Sequence, residues 1–78
     1  MIWLETAQFK RLRRNLKRRQ KDSLKQAVYL VRQDPLAGVS LRGEFKDLRI
    51  LSYTCKGQEK RLVYQNTDDE MVLISFGP

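Results

Sequence analysis

The 78-residue sequence lacks histidine, has a single cysteine and contains no long apolar run, and each of these features excludes a class of function. Without histidine the chain has no member of the usual catalytic triads and few ways to bind zinc. Cys55 cannot form an internal disulfide, so a free thiol in the cytoplasm is the simplest interpretation. No apolar segment approaches the roughly 20 residues that span a bilayer, and no signal-peptide pattern is visible. The sequence therefore predicts a cytoplasmic protein without a metal, a cofactor or a membrane anchor.

Length and composition predict one small globular domain over residues 1–78. Hydrophobic residues make up 41% of the chain and charged residues 32%, which is typical of a folded rather than a disordered protein. A chain of this length buries only about 60% of the surface that it exposes when unfolded. We therefore expect a small margin of stability.

Positive charge is concentrated in the first part of the chain. Residues 1–32 carry ten lysines and arginines against Glu5 and Asp22, whereas residues 33–78 carry six against seven acidic residues. The net charge of the whole chain is +7. This balance favours a polyanionic partner such as nucleic acid, or an acidic protein, and a basic protein without either role is the alternative.

Two helices are predicted before Pro35, and they form an antiparallel helical hairpin. Thr6 is the expected N-cap of the first helix, which should end near Arg18 or Arg19. The second helix should begin at Asp22 or Ser23 and stop before Pro35. The apolar residues that recur at helical spacing are Phe9, Leu12 and Leu16 in the first helix and Leu24, Ala27, Val28 and Val31 in the second.

Three strands are predicted after the helices, at residues 48–54, 60–65 and 70–76, with residues 1–4 as a further edge strand. Lys56-Gly57-Gln58 and Thr67-Asp68-Asp69 should form the turns between them, giving an antiparallel meander. The predicted fold class is α+β, with the helical hairpin packed on one face of a three- to four-stranded antiparallel sheet. The other face should carry Arg49 and Arg61 and either bind a ligand or face water. The linker residues Leu36, Val39, Leu41 and Phe45 are expected to pack.

Three short segments resemble the RelE/ParE superfamily of bacterial toxins, and its RelE branch most closely. They are Leu41-Arg42-Gly43, Arg61-Leu62-Val63-Tyr64-Gln65 and Ile74-Ser75-Phe76-Gly77. The resemblance implies a toxin of a type II toxin–antitoxin pair that is silenced by a cognate antitoxin. Operator DNA would be a partner through the toxin–antitoxin complex, because such pairs usually repress their own operon. RelE-like members cleave mRNA on the ribosome, and ParE-like members poison DNA gyrase.

The resemblance also implies roles for individual residues. Arg61 coincides with an arginine that RelE-like toxins use to hold the scissile phosphate, a role that suits a guanidinium. Arg49 falls on the strand where these toxins place a catalytic lysine, whereas a second lysine corresponds to Leu51, which cannot carry a proton. Arg61 and Arg49 are thus the predicted catalytic residues. The predicted RNA contacts are Lys46, Lys56, Lys60, Arg13, Arg14 and Lys17.

RelE-like toxins continue beyond the strand-ending glycine with a further arginine and a tyrosine, and a chain ending at Gly77-Pro78 has neither position. The leading hypothesis is a ribosome-dependent mRNA endoribonuclease. A variant of this hypothesis is that the short chain keeps the endoribonuclease fold but is catalytically inactive. The alternatives are a gyrase inhibitor that acts by protein binding and a non-catalytic module that binds only an antitoxin and operator DNA.

Overall fold

The computed structural model describes all 78 residues and confirms an α+β fold in which two helices cover one face of a sheet. The elements in chain order are β1 (Ile2–Glu5), α1 (Ala7–Arg14), α2 (Arg18–Gln33), β2 (Val39–Ser40), a short 3₁₀ helix (Gly43–Phe45), β3 (Leu48–Cys55), β4 (Gln58–Asn66) and β5 (Glu70–Gly77). The uncovered face of the sheet is called the open face below.

The sheet has five strands in the order β1-β5-β4-β3-β2, rather than the three or four that were predicted. The additional strand is β2, which is only two residues long and pairs with β3. β1 pairs with β5 in parallel, so the sheet is mixed and not purely antiparallel. Parallel strands need a long connection between them, and the two helices and the strands β2 to β4 provide it here.

The break between the two helices comes earlier in the chain than predicted. Thr6 caps α1 as expected, since its Oγ1 accepts the N–H of Phe9 at 3.1 Å. However, α1 already ends at Arg14 and α2 begins at Arg18. The side chain of Gln20 accepts the N–H of Lys17 at 2.9 Å, which satisfies a donor at the start of α2. The basic run therefore spans the end of one helix, a turn and the start of the next.

The core lies between the helices and the covered face of the sheet. α1 packs mainly against β5, whereas α2 packs mainly against β3 and β4, so a groove separates the two helices. Phe9 from α1 contacts Phe76 edge-on, with ring centroids 5.3 Å apart. The buried core residues are Phe9, Leu24, Ala27, Val31, Leu62, Tyr64, Met71 and Leu73. Neither helix combines the length and the hydropathy that a membrane span requires.

The turn between β3 and β4 decides which side chains face the helices. It contains two residues, Lys56 and Gly57, with φ angles of 51° and 77°, as in a type I′ turn. β3 and β4 therefore pair Ser52 with Arg61 and Arg49 with Tyr64. The predicted turn, Lys56-Gly57-Gln58, has three residues. Because the observed turn is one residue shorter, the strand register shifts by one residue, and such a shift turns every side chain of a strand to the other face.

Three of the four large apolar side chains between residues 36 and 45 do not pack, contrary to expectation, and only Leu41 is half-buried. Leu36, Val39 and Phe45 are 63%, 74% and 53% exposed. Instead, the segment is tied down by its backbone, because the Tyr64 hydroxyl donates to the carbonyl of Pro35 at 2.8 Å and accepts the N–H of Gly38 at 2.9 Å. Gly38 lies so close to Tyr64 that a Cβ there would come within 2.8 Å of the hydroxyl oxygen.

Candidate functional site

The two predicted catalytic arginines lie on opposite faces of the sheet. Arg61 projects from β4 onto the open face, where its side chain is 60% exposed. Arg49 pairs with the buried Tyr64 and therefore lies on the face that the helices cover. The expectation that both would share the open face is wrong, because the β3–β4 turn is one residue shorter than predicted.

Arg49 holds the segment between α2 and β2 against the sheet. Its Nη1 donates to the carbonyl of Gly38 at 2.7 Å and to that of Leu36 at 3.3 Å. Together with the two hydrogen bonds of Tyr64, these contacts fix the turn after Pro35. Burial raises the pKa of Tyr64, although the Gly38 hydrogen bond and the charge of Arg49 act in the opposite direction. The hydroxyl therefore stays protonated and continues to donate to the backbone.

Arg61 lies in a small polar cluster near the β3–β4 turn. Its Nε is 3.8 Å from a carboxylate oxygen of Glu59, and the hydroxyl of Ser52 donates to the same oxygen at 3.4 Å. Both charged side chains are largely exposed, and an ion pair of this kind contributes little to stability. The guanidinium is thus accessible to an anionic group, such as a phosphate or a carboxylate, on a bound partner.

Apolar side chains form two rows across the rest of the open face. The first row consists of Val39, Ile50 and Val63, which are neighbours on β2, β3 and β4. The second consists of Leu4, Val72 and Leu48, with Gln65 between the last two. Leu4 is 44% exposed and Val39 is 74% exposed. These six residues are called the apolar rows. Sequence reasoning missed them, because they become neighbours only in the observed register.

The predicted RNA contacts do not converge on Arg61. Lys60 precedes it on β4 and so lies on the helix-covered side, opposite Tyr53 in register. Lys56 is at the tip of the hairpin, and Lys46 follows the 3₁₀ helix at the other end of β3. The remaining three, Arg13, Arg14 and Lys17, belong to the helix layer.

A groove of about 420 Å³ lies between the two helices and β1. Phe9, Leu24, Val28 and Leu73 contribute its apolar lining, and four cations surround it: Arg13, Lys21, Lys25 and Arg32. The one acidic residue of the groove is Glu5, whose carboxylate accepts hydrogen bonds from Arg13 at 3.0 and 3.3 Å. Sequence reasoning did not find this groove, since it depends on the separation of the helices.

The remaining residues offer few groups for metal binding or catalysis. No group of three or more histidine, cysteine, aspartate or glutamate side chains could hold a metal ion. Cys55 is buried and free. Tyr53 is half-buried, and burial, followed by the charge of Cys55, raises its pKa. Its hydroxyl therefore remains protonated at neutral pH.

Two helices cover one face of a five-stranded sheet and leave the other face open, and the chain shares this fold with solved bacterial toxins of the RelE/ParE superfamily. The chain is similar to Escherichia coli RelE in the intact RelBE toxin–antitoxin complex, with a TM-score of 0.77 and 20% identity over 97% of this chain and 93% of that chain. It is also similar to the isolated E. coli RelE toxin, with a TM-score of 0.77 and 25% identity over 97% and 81% of the two chains.

The family model of ParE-like toxins of type II bacterial toxin–antitoxin systems matches residues 3–78, and the chain belongs to this family. A comparison with curated protein sequences finds no match.

Proposed function

We propose that this toxin inhibits its target by binding a protein through the open face of the sheet. The resemblance to ParE-like toxins makes DNA gyrase the first target to test. The observation that carries the proposal is the pair of apolar rows, whose most exposed members are Val39 and Leu4. The solvated face of an antiparallel sheet normally carries polar side chains, whereas apolar side chains grouped on an exposed face are typical of a site that binds another protein.

The charges on the open face also support protein binding. Arg61 and Glu59 lie close enough to offset each other, and the cross-strand neighbours of Arg61 are Ser52 and Gly77. Cleavage of RNA at a 2′-hydroxyl needs a base, an acid and several positive groups around one phosphate. Arg49, the second cation expected there, is engaged with Leu36 and Gly38 on the other side of the sheet.

Cleavage of mRNA on the ribosome is the second candidate function, and the position of Arg61 favours it. Its exposed guanidinium lies on the open face, within the segment that resembles the RelE branch. An arginine in this setting can hold a phosphate through two parallel hydrogen bonds. Gyrase and the ribosome are both cytoplasmic, and the proposal places the chain there.

We infer that the cognate antitoxin docks an acidic amphipathic helix into the groove between α1 and α2. The apolar lining fits the apolar stripe of such a helix. The cations around the groove complement acidic residues on the flanks of that helix; they are Arg13, Lys21, Lys25 and Arg32. Glu5, the one acidic residue of the groove, would not repel the helix, because Arg13 offsets its charge. E. coli RelE, which shares this fold, is known in complex with its antitoxin.

The test is induced expression in bacteria, with growth, gyrase supercoiling and mRNA cleavage by primer extension as readouts. Val39→Glu introduces a charge into the apolar rows and should abolish growth inhibition. Leu30→Glu is the matched control, because Leu30 is an apolar residue of α2 that is 54% exposed; it should remain toxic. Arg61→Ala should also remain toxic. The three side chains are exposed, so circular dichroism should show an unchanged fold.

A different pattern would overturn the proposal. If Arg61→Ala abolished toxicity and mRNA cleavage while Val39→Glu retained both, the toxin would be an endoribonuclease. If Val39→Glu and Leu30→Glu were equally toxic, the apolar rows would not contact the target.

A further inference from the structure

We propose that β1 pairs with β1 of a second copy of this chain and so joins the two sheets into one. β1 lies at one end of the sheet and has β5 as its only neighbour. Its residues Ile2, Trp3 and Leu4 are 56%, 41% and 44% exposed. Natural proteins normally protect an apolar edge strand of this kind, because it can pair with a strand of another chain.

The backbone of β1 has free hydrogen-bonding groups along its outer edge. The N–H groups of Ile2 and Thr6 donate to carbonyl groups in or next to β5, at 2.8 and 3.0 Å. Because alternate residues of a strand bond to the same neighbour, the N–H and C=O groups of Trp3 and Glu5 point away from the sheet. Unpaired groups of this kind allow a further strand to be added.

The edge formed by β1 lacks the usual protection against pairing, in contrast to the opposite edge. β2, at the other end of the sheet, contains only two residues, and so short a strand offers little to pair with. β1 contains no lysine, proline or glycine, and the helices pack mainly against β3, β4 and β5. The one charge in β1 is that of Glu5, which Arg13 already binds at 3.0 Å. The edge is therefore open and nearly neutral.

A second copy fits this edge because β1 is complementary to itself. In an antiparallel pair with its two-fold axis at Trp3, the two Trp3 residues exchange both of their outward-pointing hydrogen bonds. Ile2 of each copy then lies opposite Leu4 of the other copy on the open face. The two Trp3 rings become cross-strand neighbours on the helix side, where the guanidinium carbon of Arg32 lies 5.3 Å from the ring centroid of its own copy. Each exposed apolar side chain of the edge thus gains an apolar partner.

Electrostatics oppose this pairing and supply its signature. Each copy carries a net charge of +7, so two copies repel each other. Salt screens this repulsion, and self-association should strengthen as the salt concentration rises. Binding of an acidic polypeptide to the same edge would weaken instead. The inference does not rest on the proposed function, since the dimer would form whichever target the toxin inhibits.

The test is sedimentation velocity of the full chain over a range of protein and salt concentrations. The paired strands are short, and so small an interface should give a dimer with a Kd of about 10–100 μM in about 0.5 M salt. The Kd should be about tenfold higher in about 0.05 M salt. A chain that stays monomeric at about 500 μM in the higher salt, or a dimer that weakens as salt rises, would overturn the proposal.

Two lysine variants separate the edge from net charge. Ile2→Lys places a charge in the paired edge and should raise the Kd of the dimer by about tenfold or more. Leu30→Lys is the matched control, because Leu30 lies on α2, is 54% exposed and gains the same charge. Its Kd should change by less than about threefold. Equal losses in both variants would show that net charge and not β1 controls association, and the proposal would fail.

A mixing experiment tests the register of the pairing. Leu4→Glu alone should also weaken the dimer, since it places a carboxylate opposite Ile2 of the other copy. A mixture of Ile2→Lys and Leu4→Glu chains should form a heterodimer, because the introduced lysine then lies opposite the introduced glutamate. A mixture that associates no better than either variant alone would contradict the proposed pairing. Thermal melts of each variant check that the substitutions leave the fold intact.

Discussion

Replacing Tyr64 with phenylalanine should destabilise the protein strongly, although the change removes a single oxygen atom. The hydroxyl of Tyr64 donates to Pro35 at 2.8 Å and accepts from Gly38 at 2.9 Å, and the residue is fully buried. No other side chain hydrogen-bonds the N–H of Gly38 or the carbonyl of Pro35. Both groups would therefore lose a partner in the Tyr64→Phe variant.

The magnitude follows from the burial of the two backbone groups. A buried polar group left without a partner costs about 1–3 kcal/mol. Gly38 is buried and should contribute fully, whereas Pro35 is half-buried and should contribute less. We expect a loss of about 2–4 kcal/mol, out of a total of roughly 4–12 kcal/mol for a chain of this length. The melting temperature should fall by about 10–25 °C.

The measurement is urea and thermal unfolding followed by circular dichroism. Tyr29→Phe is the control, because Tyr29 is 61% exposed and its loss should change stability by less than about 0.5 kcal/mol. Arg49→Gln should also be destabilising, and it should couple to Tyr64→Phe by about 0.5 kcal/mol or more, since both side chains hold the same segment. A Tyr64→Phe variant as stable as the wild type would refute this reasoning.

Two further predictions concern pH and the β3–β4 turn. Burial raises the pKa of both Tyr53 and Tyr64 above the ordinary value of 10.0, so their stabilising effect should be complete below pH 10 and be lost as the pH rises through the folded-state pKa. Urea unfolding at increasing alkaline pH should show this decline, which should be smaller in Tyr53→Phe; an identical decline in that variant would contradict it. Lys56→Asn should stabilise the protein by about 0.5–1 kcal/mol, because asparagine tolerates a positive φ better than lysine does. Thermal unfolding beside a Lys46→Asn control would detect this gain, and no difference between the two would count against the turn assignment.

Features that depend on local chemistry could be predicted from the sequence. The cap at Thr6 was correct because a threonine oxygen can reach the N–H three residues later within one turn. The position of Arg61 on the open face was also correct, since the alternation of side chains is a property of one strand. The predicted end of the first helix near Arg18 or Arg19 was wrong, because the apolar spacing continues to Leu16 and conceals the break after Arg14.

Features that depend on the number of residues in one turn could not be predicted. Lys56-Gly57-Gln58 was correctly identified as the turn region, but the sequence does not distinguish a two-residue from a three-residue connection when the first position is lysine. That difference of one residue moved Arg49 from the open face to the helix side. The candidate site therefore changed from a pair of arginines to one arginine beside the apolar rows.

The separation of charge from apolar surface bears directly on how the toxin acts. An enzyme that cleaves RNA needs its cations around the reacting phosphate, because electrostatic stabilisation depends on the distance to the developing charge. In this chain nine cations between residues 10 and 25 lie on the helix layer, and the open face carries Arg61 next to Glu59. Cleavage requires strong positive charge close to the reacting phosphate, so positive charge on the helix-covered side of the sheet does not support catalysis at the open face. The same arrangement suits a toxin that binds a protein target through the apolar rows of the open face.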